Sequence, residues 1–382
     1  MMRAEKIAVF VPNFQMRIDK IKVLHIDSET SWRGGQQQAA YLLEAMNEQG
    51  YCTSLVCQPK SAIEKYCQDK ALPHVPIKMC GEIDFVAGVR IARICKKNNF
   101  NILHLHSGHA LAIGLWAKFF YSKLKLIAVR RVDFHIKHNW LSQFKYKNKL
   151  LDKIVCISHG IEKVLIEDGI PGQKLVTIYS GIDIDKFVNS FPPIDFRDGL
   201  GVPQKNILVG TIAAMANHKD YPNLLKAAKI VVEQQNDVTF CAVGDGPERE
   251  KILSLADELG LKSKFIFTGF RGDIGKFLKT FDIFVLASKK EGMGTSILDA
   301  QAVGLPVIAC ETGGIPEIIS HSKNGWLVPP KDEAKLAEAI LLLVQDHQLR
   351  KRLGYNALKT VKDFDIRLTV EKNIRLYEEI LD

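Results

Sequence analysis

Short apolar, β-branched runs recur along the chain, with helical patterns between them. In the first half they are KVLHID (22–27), TSLVCQ (53–58), ILHLH (102–106), KLIAVR (125–130), KIVCIS (153–158) and LVTIYS (175–180). The second half repeats the theme with NILVGTIAAM (206–215), VTFCAVG (238–244), KFIFTG (264–269), IFVLAS (283–288), PVIAC (306–310) and GWLVP (325–329). They lack in/out alternation, so each predicts a parallel strand covered on both faces, and stretches such as QQQAAYLLEAMNEQG predict the covering helices. Two such halves predict an α/β protein of two doubly wound domains facing across a cleft, with ligands at the carboxyl ends of the strands. The boundary falls at FVNSFPPIDFRDGLGVPQ (187–204), which is rich in Pro, Gly and Asp and has no apolar periodicity. The expected units are residues 21–190, 205–362 and a last helix within 363–382. In that helix Ile366, Val370, Ile374, Tyr377 and Leu381 fall on one stripe, which needs a surface to cover it.

Length and composition agree with this picture. A chain of 382 residues exceeds one comfortable core, and 47% hydrophobic with 25% charged residues is an ordinary globular mixture. Eight cysteines stand as singletons with no Cys-x-x-Cys pair, which reads as buried thiols in a reducing compartment. No apolar run has signal-peptide or membrane-spanning length, so the expected location is cytoplasmic.

The net charge of +9 is unevenly placed. Lys118, Lys123, Lys125, Arg130, Arg131, Lys137, Lys145, Lys147, Lys149 and Lys153 are opposed in sequence only by Asp133 and Asp152. Phe119, Phe120, Tyr121, Phe134, Trp140, Phe144 and Tyr146 are threaded among them. Such a mixture suits an anionic membrane surface at the inner face of the membrane; a merely solvated basic face is the competing reading. No nucleic-acid motif accompanies it, so nucleic acid is not an expected partner.

The chemistry concentrates in KKEGMGTSILDAQAVGLPVIACETGGIPE (289–317). Glu291 lies on the loop after a strand, Gly292 and Gly294 let backbone approach a ligand, and a helix begins near Ser296. Free N–H groups at that helix start, with the Thr295 and Ser296 hydroxyls, suit an anion, whereas Glu291 should face sugar hydroxyls. Asp299 has two readings: a ligand contact, or the partner of Ser296 in a capping box. Lys219, after the first strand of the second domain, can neutralise phosphate or stand as a surface lysine. Gly34 and Gly35 make a second backbone-approach site after the first strand, and Gly244 follows another strand without a dinucleotide-binding spacing. His104, His106 and His109 lack an acidic or cysteine partner nearby, so no metal is expected; a polar contact to the acceptor from one of them is.

The segments HKDYPNLLKAA, AVGDGPERE, FTGFRGDI, NGWLVPPKD and the 289–317 block, with Gly34–Gly35, ILHLH and DKIVCISHGIEKVLIEDGIPGQKLVTIYSGID, resemble the retaining glycosyltransferases of family four. The resemblance implies a two-Rossmann-domain (GT-B) fold, a last helix crossing back to the first domain, and a nucleotide-sugar donor without a metal or other cofactor. It implies an acceptor-binding first domain, with Gly34, Gly35, His106, His109 and Arg131 at the cleft. The second domain would bind the donor through Gly294, Thr295, Ser296, Asp299, Gly244 and Arg271. Glu291 corresponds to a glutamate contacting the donor sugar and Lys219 to a lysine clamping the diphosphate. Asp299 is one methylene shorter than the glutamate usual at the ribose contact, and Ala214 stands where an arginine is usual. Arg271 or the Arg130–Arg131 pair would have to replace that arginine. The implied reaction is glycosyl transfer with retention in cell-envelope or lipopolysaccharide-type glycan synthesis. A catalytically weak sugar-nucleotide-binding protein, or a sugar-nucleotide 2-epimerase on the same fold, are the alternatives.

Overall fold

The computed structural model describes residues 19–136, 140–188, 192 and 195–382. Lys137 and residues 189–191, 193 and 194 of the boundary therefore lie outside the described residues.

All twelve apolar runs contain strands. The first sheet holds β1 (Lys22–Asp27), β2 (Cys52–Cys57), β3 (His74–Pro76), β4 (Ile102–Leu105), β5 (Lys125–Arg130), β6 (Lys153–Cys156) and β7 (Leu175–Thr177). The second holds β8 (Ile207–Ile212), β9 (Val238–Val243), β10 (Phe265–Phe267), β11 (Ile283–Leu286), β12 (Val307–Cys310) and β13 (Trp326–Val328). Their orders are β3-β2-β1-β4-β5-β6-β7 and β10-β9-β8-β11-β12-β13, and every pairing is parallel. Each order reverses beside its first strand, between β1 and β4 and between β8 and β11, and a ligand crevice opens at the carboxyl ends of such strands.

The helices that matter to the crevice are α1 (Gly34–Glu48), α2 (Phe85–Asn98), α3 (Gly108–Phe120), α4 (Trp140–Lys147), α5 (His159–Glu167), α6 (Thr295–Ala302) and α7 (Ile366–Leu381). The chain returns to the first domain where Ile182 and Ile366 meet. Ile182 N–H donates to Phe364 O and Ile366 N–H to Ile182 O, both at 2.9 Å. α7 then lies over the first sheet and buries Val370, Leu376 and Tyr377 against Ile21, Val23, Leu42, Met46 and Ile102. All eight cysteines are free and six are buried. Among the described residues no helix is long and apolar enough to cross a membrane.

Candidate active site

Two strand ends of the second domain converge on one ion pair. After β8 the chain makes a short turn, Asn217–Lys219, and Asp220 takes a left-handed conformation that starts the next helix. After β11 comes the Glu291 loop. Lys289 N–H donates to His218 O (2.9 Å), which ties the two loops together. Lys219 Nζ pairs with Glu291 Oε2, and Ser288 Oγ donates to the same oxygen at 3.1 Å. The two side chains are only 15% and 14% exposed, so the pair is shielded from bulk water. Burial, then the neighbouring Lys219 ammonium, lowers His218 below the usual imidazole range.

Beyond Glu291 the chain reaches α6, whose N-cap, Gly294, is left-handed (φ 82°) and makes no side-chain cap. Ser296 therefore lies inside the helix, and the capping-box reading of Asp299 fails. Asp299 is instead buried, its Oδ1 has no partner, and burial pushes the carboxyl up to about 7. The N-terminus of α1 is uncapped by side chains as well. The two helix starts approach one another across the cleft: a Cβ on Gly34 would sit 3.4 Å from Thr295 Oγ1.

The cleft walls also touch directly. A side chain at Gly292 would collide with the carbonyl oxygen of Arg131, so only glycine permits this approach of the domains. Ser158 Oγ donates to Gly292 O (2.8 Å). At the start of α5, the N–H groups of His159 and Gly160 donate to the Glu317 carboxylate at 2.9 and 2.8 Å. A carboxylate at a helix N-terminus is favourably placed against the helix dipole. This clasp joins the CISHG and GGIPE segments, 158 residues apart. Nothing in the local sequence of either segment assigns it a role at the interface; Gly314 fits there because a Cβ on it would meet Gly292 O and Ser158.

In the first domain, Arg131 enters the cleft from the end of β5, its Cδ 3.2 Å from where a Cβ on Gly35 would sit. Its Nη2 donates to His106 Nδ1 (3.2 Å), and His106 Nε2 meets His25 Nδ1 at 3.0 Å. Burial lowers Arg131 to about 10, opposed by the Asp27 carboxylate. Burial also raises Asp27, although Glu29 N–H and Gln36 Nε2 donate to it (2.9 and 3.0 Å).

Not every candidate joins this site. Arg271 is exposed, donates twice to Asp273 (2.9 Å each) and lies over the Phe277 ring, and no contact links it to Glu291 or Lys219. His109 is exposed on the first turn of α3, 4.0 Å from Glu82. Gly244, at φ 146°, admits the carbonyl of Ala213 where a side chain would stand, so its contact is with the β8 loop. The basic segment changes too. Lys145 is buried against Glu82, Lys118 pairs with Asp152 (2.6 Å), and Arg130 stacks on the buried Tyr146. Glu82, distant in sequence, was not counted among the opposing acids.

Among the described residues, His25, His104 and His106 form the one acid, thiol or imidazole group spaced for a metal, with ligand atoms within 4.8 Å of one another. Both nitrogens of His106 are already engaged and a guanidinium borders it, so the trio suits a hydrogen-bonded file better than a cation.

Comparison with known proteins agrees with both halves. Residues 32–186 match the model described as Glycosyltransferase Family 4, and residues 194–360 match Glycosyl transferases group 1. The chain is 23% identical, over 95% of its length and 98% of the relative's, to the UDP-Gal:alpha-D-GlcNAc-diphosphoundecaprenol alpha-1,3-galactosyltransferase of Escherichia coli. It is 26% identical, over 76% of its length and 80% of the relative's, to the N,N'-diacetylbacillosaminyl-diphospho-undecaprenol alpha-1,3-N-acetylgalactosaminyltransferase of Campylobacter jejuni. Its fold matches a Rickettsia africae glycosyltransferase with a TM-score of 0.84 at 23% identity, covering 95% of this chain and 99% of that one. It also matches the Anabaena protein HepE in complex with UDP-glucose, at TM-score 0.81 and 20% identity, over 94% and 99% of the two chains.

Proposed function

This chain belongs to the family 4 glycosyltransferases, its first half matching that family and its second the group 1 transferases, and from that premise we propose a retaining, metal-independent sugar transfer from a nucleoside diphosphate. The observation that carries the reading is the Glu291–Lys219 pair beside the uncapped start of α6. A diphosphate seated there would meet N–H groups, Thr295, Ser296 and the Lys219 ammonium. Lys219 would then exchange Glu291 for phosphate, leaving the carboxylate free to accept from donor-sugar hydroxyls. The buried, unpartnered Oδ1 of Asp299 suits a ribose hydroxyl.

A nucleoside diphosphate is already a good leaving group, so the chain's main task is to stabilise the charge that grows on it. The bond from the anomeric carbon to the diphosphate oxygen breaks, the acceptor oxygen bonds to the same face of that carbon, and the acceptor proton passes to the departing diphosphate. UDP is the proposed nucleotide and a lipid-linked envelope glycan the proposed acceptor, because similar proteins act on such substrates. The acceptor would approach from the first domain, whose exposed Phe119, Phe120, Trp140 and Phe144 suit an anionic membrane surface.

Incubation with UDP-, GDP- and ADP-sugars and a polyprenyl-diphosphate-linked sugar tests this. Expected are transfer with a retained anomeric configuration, unchanged rates in chelator, and loss of both transfer and free-diphosphate binding in Lys219→Ala. An inverted product, or chelator sensitivity, would overturn the mechanism. Donor epimerised without acceptor, or bound and never consumed, would favour the epimerase or the inactive binder.

A further inference from the structure

Behind Arg131 stands a file of buried imidazoles that the proposed mechanism does not use. His25 lies on β1 opposite His104 on β4, and His106 follows at the end of β4, on the face that α7 covers. All three are at most 4% exposed. The His104 ring lies 4.5 Å from that of His106 and 5.5 Å from that of His25, and its Nδ1 is bonded to Tyr377 OH of α7 (2.6 Å).

The direction of the bonds through His106 follows from chemistry. Arginine has donors and no acceptor, so His106 Nδ1 must accept and carry no proton. A neutral His106 then holds its proton on Nε2 and donates it to His25 Nδ1, which leaves the His25 proton on Nε2. Burial keeps both rings neutral and leaves His25 Nε2 and His104 Nε2 without partners. Apolar residues here would avoid those orphaned atoms, so packing alone gives no account of three imidazoles.

We propose that His106 is a positioning residue for the transfer reaction: accepting from Arg131 through Nδ1, with His25 behind it fixing the tautomer, it holds the guanidinium at the cleft wall beside Gly35 to meet the charge of the diphosphate. The inference rests on the reading that the cleft binds a nucleoside diphosphate. Arg131 supplies from the first domain a cation that the second lacks at Ala214. A misdirected guanidinium would swing toward Asp27, the acid that already acts on it.

Two measurements test this, and the first does not depend on the ligand. Nitrogen-15 NMR of imidazole-labelled wild-type protein should show His106 neutral with its proton on Nε2 across about pH 6–8. A proton on Nδ1 would overturn the proposal, because that atom could not then accept from Arg131. In the second, UDP, GDP and ADP are titrated into wild type, and the diphosphate it binds serves as the probe. Binding of none would fail the donor reading, while the NMR still decides the tautomer. His106→Leu should weaken the probe about tenfold, and His106→Asn, whose amide oxygen can replace Nδ1 as acceptor, should recover to within about threefold. In an Arg131→Met background His106→Leu should change affinity less than about twofold. Equal losses in both backgrounds, or no loss in either, would show that His106 does not act through Arg131. Should His106→Leu fail to fold, His25→Leu reads the same coupling by removing the acceptor of Nε2–H.

Discussion

Asp299 sits on the second turn of α6 with an oxygen that has no partner, and burial raises its carboxyl to about 7. The folded chain thus keeps a proton there that the unfolded chain releases near the usual carboxylate range, about 4. Its stabilising contribution is complete below about pH 4 and is lost as pH rises through 7, with an upper limit on the order of 4 kcal/mol. Asp299→Asn cannot ionise, so the variant should lose less stability than wild type between about pH 5 and 8 in thermal melts. Parallel profiles would mean that the carboxyl is solvated in solution. At this scale, what the sequence conveyed depended on how local each signal was. Glu291 and Lys219 were legible because each follows a strand end within a few residues. For Asp299 local spacing left a ligand contact and a capping box open, and the second fails because the left-handed Gly294 starts the helix two residues before Ser296. His25 was missed, since only the parallel register of β1 with β4 brings it opposite His104.

At the scale of elements, parallel strands covered on both faces read as unbroken apolar runs, which made twelve of them visible. β3 was not, because a three-residue edge strand ending in Pro76 has no run to show. The stripe of α7 was legible as amphipathicity, yet it omitted Leu376 and Asn373, both buried. Periodicity also did not reveal that Tyr377 carries a polar duty beneath that helix. Tyr377→Phe keeps the ring in place and removes the hydroxyl from His104 Nδ1, 2.6 Å away. Leaving that buried nitrogen unpartnered should destabilise the protein by about 1–3 kcal/mol in urea denaturation. A loss under about 0.5 kcal/mol would show that the bond contributes nothing net.

Across the whole molecule the formal charge of +9 overstates what one face offers a membrane. Lys118 and Lys145 are engaged by Asp152 and Glu82, Arg130 lies over Tyr146, and Arg131 turns into the cleft against His106. Lys123, Lys147 and Lys149 remain exposed, near Phe119, Phe120, Trp140 and Phe144 on the neighbouring helices α3 and α4. Ile83 and Phe85, 70% and 55% exposed just before and at the start of α2, are further exposed apolar residues of the first domain. Each surface lysine adds roughly 1 kcal/mol toward an anionic bilayer, and that attraction is screened over about 8–10 Å at physiological salt. Three lysines give attachment that salt weakens, while the aromatic rings add a part that salt leaves intact. The protein should therefore sediment with vesicles containing phosphatidylglycerol, bind neutral vesicles poorly, and be released largely but not wholly by about 1 M salt. Changing Lys123, Lys147 and Lys149 together to glutamate should abolish sedimentation and leave diphosphate affinity unchanged, because all three are exposed and none is bonded to Lys219, Glu291 or Arg131. Lys145→Glu would be the wrong test: it sets two carboxylates against each other at a buried site and should reduce stability instead. Equal binding to neutral and anionic vesicles, or none to either, would leave this face merely solvated and point to a soluble acceptor.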